Sequence, residues 1–443
     1  VRKLGIGLII AGFIILAGST LVYMNPTLEH RASLAIAQPR KAMATGVRES
    51  SESEIPVIIR MDISPMIEKK PGTLAVSAQR KKILAMAQPL SVAYGLEIKD
   101  AHPLFGMVSG RLPLNQRQAL YQDPRVLKVA RDRTVRVPSE PVGMQVSYMS
   151  FEQVSKELNL ENLWREKGRG KGVSIAVLDS GTRPDIVPVE EAWGVGDYGY
   201  RDQFGHGVAT TSICYRTAPQ ADIYSLRVLN KYGQGKSSDI IKGLETIVEN
   251  VPRPTVINMS LGTGKSLWSP LESACEMAER YQGVTIVCAS GNTSGSVLSP
   301  ASSPATIAVG ALNAQGKLAE YSSYGDEQTC VSFGDVTVTS LEGAKKQMRG
   351  TSFAAPRVTA QIACVLSSEN IGDVNETELI KNSSVDLGEP GKDPKFGYGL
   401  VSGGPMSTAP VEGEKPLGGL YPITVAMSLS LICAGVVVTT RWE

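Results

Sequence analysis

Four polar side chains in this 443-residue chain follow or open apolar runs in a way that packing alone explains poorly. Asp179 ends the run Val173-Ser174-Ile175-Ala176-Val177-Leu178, and Asn292 stands just past Thr285-Ile286-Val287-Cys288-Ala289. His206 lies between Gly205 and Gly207 ahead of a helical run, and Ser352 opens the apolar segment Phe353-Ala354-Ala355-Pro356. A serine hydroxyl is a weak nucleophile at neutral pH and needs a base; imidazole serves because its pKa of about 6.5 lies near neutrality. The base in turn needs a carboxylate that fixes its tautomer and stabilises its cation. A tetrahedral oxyanion needs fixed donors, which the Asn292 amide and the N–H at the start of the Ser352 helix can supply. Taken singly, Asp179 and Asn292 read as turn residues and Ser352 as a helix cap. The chain holds only His30, His102 and His206, so imidazole chemistry has few places to occur.

These side chains must be carried by elements that bring distant stretches together. From residue 173 onward, apolar runs at 173–178, 223–228, 256–259 and 285–289 alternate with helical segments. That alternation predicts an α/β fold, a mainly parallel sheet with helices on both faces. In such sheets functional residues gather where strands end and loops lead into helices. Upstream, strands at 55–62, 92–98, 105–112 and 126–137 and helices at 77–88 and 116–122 follow the order β-α-β-β-α-β. This predicts a small α+β, ferredoxin-like domain with both helices on one face of an antiparallel sheet.

The four segments, in the order Asp, His, Asn, Ser, resemble the subtilisin-like serine proteases, the subtilases. The resemblance covers about residues 142–403, and Gly350-Thr351-Ser352-Phe353-Ala354-Ala355-Pro356 is its most specific motif. Thr217-Ala218-Pro219-Gln220-Ala221-Asp222-Ile223-Tyr224, Asn258-Met259-Ser260-Leu261-Gly262 and Gly397-Tyr398-Gly399-Leu400-Val401 support it. It implies that Asp179, His206 and Ser352 form a catalytic triad and that Asn292 is the oxyanion donor. It also implies that Ser260, Leu261 and Gly262 bind substrate as an edge that pairs with extended peptide backbone. The β-α-β-β-α-β domain resembles the family's propeptide, an intramolecular chaperone and inhibitor, whose end near residues 136–141 would lie in the cleft as first substrate. Three departures stand out. Val208-Ala209 follow His206-Gly207 where many relatives carry Thr-His, so polar support of the base is altered. A short segment before Ala218-Pro219 removes the loop of the strong calcium site in many relatives, so no metal and no cofactor are expected. Phe353 stands where methionine is common, removing an oxidisable thioether beside the serine.

Hydrophobic residues make up 42% and charged residues 20%, as in a folded multi-domain chain. A net charge of +2 provides no electrostatic footprint for nucleic acid. Cys214, Cys275, Cys288, Cys330 and Cys364 mostly sit on apolar runs and read as buried thiols, with Cys433 in the apolar C-terminal run. His102 reads as a packing histidine ahead of a pH sensor that loosens the inhibitor. Two triplets, Asn375-Glu376-Thr377 and Asn382-Ser383-Ser384, match glycosylation acceptors and are left unassigned.

Residues 4–24 and 416–440 carry no charge, and each is long enough to cross a hydrocarbon core of about 30 Å as a helix. The first reads as a retained anchor ahead of a cleaved signal ending near Ala35-Ile36-Ala37; the second, followed by Trp442, reads as a span. The expected organisation is an anchor or signal at 1–24, a linker at 25–54, a propeptide at 55–138, a catalytic domain at 142–403, a linker at 404–416 and a transmembrane helix at 417–440. The expected protein is a membrane-anchored serine endopeptidase zymogen whose partners are polypeptide substrates, its own propeptide and a lipid bilayer. It would sit in the cell membrane with its catalytic domain outside the cytoplasm. The rival readings are an inactive subtilase fold used as a tethered binding protein and another hydrolase or ligase with the same nucleophile.

Overall fold

The computed structural model describes residues 53–63, 76–141, 146–368 and 376–404. Both uncharged terminal runs lie outside the described residues, as does most of each expected linker. Among the described residues no helix is long and apolar enough to cross a membrane.

A four-stranded antiparallel sheet consists of β1 (Glu54–Met61), β2 (Glu97–His102), β3 (Met107–Pro113) and β4 (Val126–Arg131), in the spatial order β2-β3-β1-β4. Helices α1 (Val76–Tyr94) and α2 (Arg117–Leu120) bring Ile83, Ala87, Leu90 and Leu120 into one cluster with Val57, Ile59 and Met61 of β1. Ile58, between them in sequence, faces the opposite way, as the period of two along a strand requires. There it joins Phe105 and Met107 in a core shared with the parallel sheet described below.

The β-α-β-β-α-β order holds, with two corrections. Helix α1 continues through Pro89 to Tyr94, over the start of the strand expected at 92–98, and Gly95 at φ 66° ends it. Val92, β-branched and strand-like in sequence, is 82% exposed on this helix. The strand expected at 126–137 divides. β4 stays in the small sheet, whereas β5 (Thr134–Arg136) leaves it and pairs antiparallel with β9 (Gln234–Lys236). Asp132, at the break, accepts hydrogen bonds from Ser238 N (3.0 Å) and Ser238 Oγ (2.7 Å). It thereby holds the first turn of α6 (Ser237–Asn250).

The larger sheet has nine strands: β6 (Ser174–Asp179), β7 (Glu191–Gly194), β8 (Asp222–Arg227), β10 (Thr255–Met259), β11 (Val284–Ala289), β12 (Ile307–Leu312), β13 (Gln328–Phe333), β16 (Ser384–Val385) and β17 (Leu400–Val401). Their spatial order is β16-β17-β13-β12-β11-β10-β6-β8-β7, parallel throughout except for β16 against β17. β6, β10, β11 and β12 are buried along their whole length, as strands covered on both faces must be. Ile175 and Val177 face one cluster, packed by α3 (Phe151–Glu157), α4 (Leu160–Glu166), α5 (His206–Thr217), α8 (Thr351–Leu366) and α9 (Glu376–Ser383). Ala176 and Leu178 face the other, with α6 and α7 (Pro270–Gln282). A hairpin of β14 (Asp335–Thr339) and β15 (Lys345–Arg349) precedes α8. All five cysteines among the described residues are buried and unpaired, and burial pushes the Cys364 thiol up to about 12.

The small sheet docks on α6 and α7 through Phe105 and Met107, and Leu104 N donates to Glu245 Oε1 at 3.2 Å. Behind this contact His102 is wholly buried, with Nε2 3.2 Å from Ser109 Oγ and Nδ1 without a hydrogen-bond partner. Burial, with the charges of Lys242 and Arg80, lowers its pKa from 6.5 to about 3. Between those values the unfolded chain binds a proton that the folded chain refuses. The histidine's contribution is therefore intact above the unfolded value and is lost as pH falls toward the folded one, at roughly 1.4 kcal/mol per pH unit. Thermal melting should show a steeper loss of stability on acidification in the native chain than in a His102→Gln chain; equal slopes would contradict this.

Candidate active site

Asp179 is the last residue of a central strand, and no part of it reaches solvent. Its carboxylate meets three donors. Ser180 N lies 2.7 Å from Oδ1, Thr210 Oγ1 3.2 Å from Oδ2, and His206 Nδ1 2.9 Å from both oxygens. Both oxygens of this buried carboxylate are therefore met by donors, as a buried polar group requires. With Nδ1 donating to a carboxylate, His206 presents the Nε2 lone pair outward. Nε2 is buried and without a partner.

His206 is the first residue of α5, and a second acid fixes that helix end. Asp202 Oδ1 accepts from Phe204 N (2.8 Å), Gly205 N (2.9 Å) and Ser180 Oγ (3.0 Å), and Oδ2 accepts from Val208 N (2.9 Å). Burial, opposed by those backbone donors, raises the Asp202 pKa above the ordinary carboxylate value. Gly207 N donates to Ser180 Oγ at 2.9 Å, which laces the helix start to the loop after β6. A Cβ on Gly207 would come 2.1 Å from the Gly181 carbonyl oxygen, so only glycine permits this approach.

Ser352 is the second residue of α8 and is 1% exposed. Pro356 lies one turn further along and lacks the N–H that would bond to the Ser352 carbonyl. Ser260 Oγ supplies the missing donor at 2.9 Å. Ser352 Oγ itself lies 3.5 Å from the Ser260 carbonyl oxygen, while the Phe353 ring stacks tilted on His206 with centroids 5.4 Å apart. Asn292 Oδ1 accepts from Thr351 N (2.9 Å) and Thr351 Oγ1 (2.8 Å), which fixes the amide so that Nδ2 faces the cleft.

The structure brings Asp179 and His206 into direct contact and sets His206, Ser352 and Asn292 on one cavity of about 430 Å³. The imidazole–acid bond is made; the serine hydroxyl rests on the Ser260 carbonyl instead of on Nε2. Ser260, Leu261 and Gly262 follow β10, and Gly262 exchanges both main-chain hydrogen bonds with Arg136, at 3.0 and 3.1 Å. On the opposite wall β5 pairs with β9, and Val137 N donates to Gly233 O at 3.0 Å. The stretch 134–137 thus lies as an added strand between two edges of the cleft. Among the described residues no group of three His, Cys, Asp or Glu side chains is placed to hold a metal ion.

Residues 170–399 match the model of the subtilase family, peptidase family S8, over more than half the chain. The chain belongs to the subtilases, which are serine endopeptidases. This subtilase is 33% identical to the minor extracellular protease Epr of Bacillus subtilis over 57% of its own length, a match that spans 41% of Epr. It is 28% identical to a thermostable alkaline protease of Halalkalibacterium halodurans, over 74% of this chain and 93% of that one. Subtilisin E of Bacillus subtilis is 30% identical over 66% of this chain and 81% of its own. The small antiparallel α+β sheet stands where a propeptide-like domain is expected.

Sequence reasoning missed Asp202 and Thr210. An acid four residues before His206 is a capping signal, and Thr210 stands four residues after it, on the same helix face. Thr210 answers the departure at Val208-Ala209, because its hydroxyl supplies polar support directly to Asp179. That hydroxyl proton has a second acceptor in Gly207 O at 3.1 Å, beside Asp179 Oδ2 at 3.2 Å. Thr210→Val should lower the denaturant midpoint by an amount equivalent to about 1.5–3 kcal/mol, and Thr210→Ser should restore most of it. Equal stability of all three chains would show the bond to be idle.

Proposed function

We propose that this subtilase hydrolyses peptide bonds through an acyl-enzyme on Ser352, with His206 as general base and acid and Asp179 as the group that orients it. The observation that carries this reading is the buried Asp179–His206 pair with an unpartnered Nε2, on the same cavity as the only serine that opens α8. On attack, Nε2 takes the Ser352 proton, and the imidazolium that forms is stabilised by the Asp179 carboxylate. Asn292 Nδ2, with the N–H groups at the start of α8, is suited to the oxyanion because its position is fixed before reaction. Substrate backbone is bound as β5 is now, against Gly262 on one side and Gly233 on the other. This favours extended polypeptide of many sequences, because main-chain bonds provide the affinity.

In this reading residues 55–138 are an inhibitor-like propeptide, 142–403 the catalytic domain, and the cleft is occupied by the propeptide's own end. The segments 1–24, uncharged from residue 4, and 417–440 serve as membrane anchors, supported by the length of their apolar runs, with the catalytic domain outside the cytoplasm. Externally added protease should reach the catalytic domain of intact cells while the domain stays with the membrane fraction; release into the soluble fraction would contradict the anchors.

A serine-directed phosphonate should label Ser352, and Ser352→Ala should cost on the order of 10⁶ in turnover. Asn292→Ala should cost roughly 10²–10³ in kcat. Undiminished peptidase activity in the Ser352→Ala chain would overturn the assignment.

A further inference from the structure

One strand away from Asp179, a buried guanidinium is held by neutral oxygens. Arg227 ends β8, is 4% exposed and pairs with Asp179 in the parallel ladder of β6 and β8. Its Nε donates to Leu229 O at 3.0 Å, and Nη1 donates to Tyr198 O at 2.8 Å and to Arg201 O at 2.7 Å. Nη2 donates to Gln203 Oε1 at 3.1 Å. Burying such a group is costly unless its donors are met, and four of its five N–H groups are met here. Three of the acceptors belong to the stretch 198–203, which leads directly into α5.

The same stretch is bonded from its other side. Thr182 N donates to Tyr200 O at 3.1 Å, and Asp202 N donates to Thr182 O at 2.9 Å. Asp202 is thus tied to the loop after β6, while its neighbours Arg201 and Gln203 are tied to the end of β8. In that position its carboxylate accepts from Phe204, Gly205 and Val208 N–H groups and holds the start of α5. The contacts run in one line from Arg227 through Asp202 to the helix end that carries His206.

We propose that Arg227 is a positioning residue for the reaction: its guanidinium clamps the stretch 198–203, so that Asp202 keeps the His206 ring where it can take the Ser352 proton. The inference rests on the reading of His206 as general base. Arg227 does not line the cavity of His206 and Ser352 and acts through Asp202 alone. Its planar fork reaches acceptors on both of its sides, which the compact ammonium of a lysine cannot do. The edge that receives substrate braces itself: Asn230 Oδ1 accepts from Tyr232 N at 2.9 Å and Gln234 N at 3.2 Å, and Gly233 N donates to Asn230 O at 3.0 Å. Loss of the clamp therefore falls on kcat and spares KM.

The test measures cleavage of an extended peptide by the enzyme expressed as the full-length chain, in native, Arg227→Lys and Arg227→Ala forms, with folding followed by circular dichroism. Arg227→Lys should lose about tenfold and Arg227→Ala about a hundredfold in kcat, the order that a displacement of about 1 Å costs, with KM changed by no more than about twofold. Methylguanidinium, which supplies the missing fork, should restore part of the lost kcat to Arg227→Ala and none to Arg227→Lys, whose side chain fills the site. Native kcat in a folded Arg227→Ala chain, or a loss that methylguanidinium leaves unchanged, overturns the positioning role. Should Arg227→Ala fail to fold, Arg227→Lys decides: lowered kcat at native KM supports the clamp, and native kcat or an equal change in both constants overturns it. A native chain that neither cleaves the peptide nor reacts with phosphonate at Ser352 overturns the reading of the site itself, and the inference with it.

Discussion

The structure is organised around one buried carboxyl group and the donors that must meet it. Asp179 sits at the end of a strand that has neighbours on both sides and helices on both faces, and it reaches no solvent. A carboxylate in such a place must be met by donors or give up its charge. The fold meets it with a backbone N–H, a threonine hydroxyl and an imidazole, each delivered by a separate geometric device. Ser180 is the next residue in the chain. Thr210 and His206 come from α5, whose start is pinned by Asp202 and by the close approach of Gly207 to Gly181. The acid thus orders the helix end, and the helix end orders the base.

The serine side is built by a different constraint. Pro356 removes a hydrogen bond from the second turn of α8, and Ser260 replaces it from the end of β10. The same Ser260 offers its carbonyl to the Ser352 hydroxyl, and its neighbour Gly262 pairs with extended backbone. One short segment therefore supports the helix that carries Ser352, holds its hydroxyl at rest and receives the strand that fills the cleft. Loss of order in that segment would be felt by all three.

Much of this was legible in the sequence. Polar residues directly after buried runs marked Asp179 and Asn292, and the lone histidine between glycines marked His206, because parallel strands covered on both faces leave only their ends for chemistry. The alternation of strands and helices was legible for the same reason. Asp202 and Thr210 were less so, since each looks like an ordinary cap or helix residue until its partner across the fold is known. The division of 126–137 into β4 and β5 depends on β9, about a hundred residues away, and on Asp132 capping α6. The extension of α1 over Val92 shows a β-branched residue overruled by its neighbours, with Gly95 setting the end.

The central claim is that the Asp179 carboxylate fixes a proton on Nδ1 of His206 and leaves Nε2 free to accept one. Nitrogen-15 NMR of the imidazoles tests it most directly, and with three histidines in the chain the signals can be assigned by single substitutions. The account predicts that neutral His206 carries its proton on Nδ1 and that Asp179→Asn disturbs this preference. A neutral ring protonated on Nε2, or a tautomer indifferent to Asp179→Asn, would contradict it.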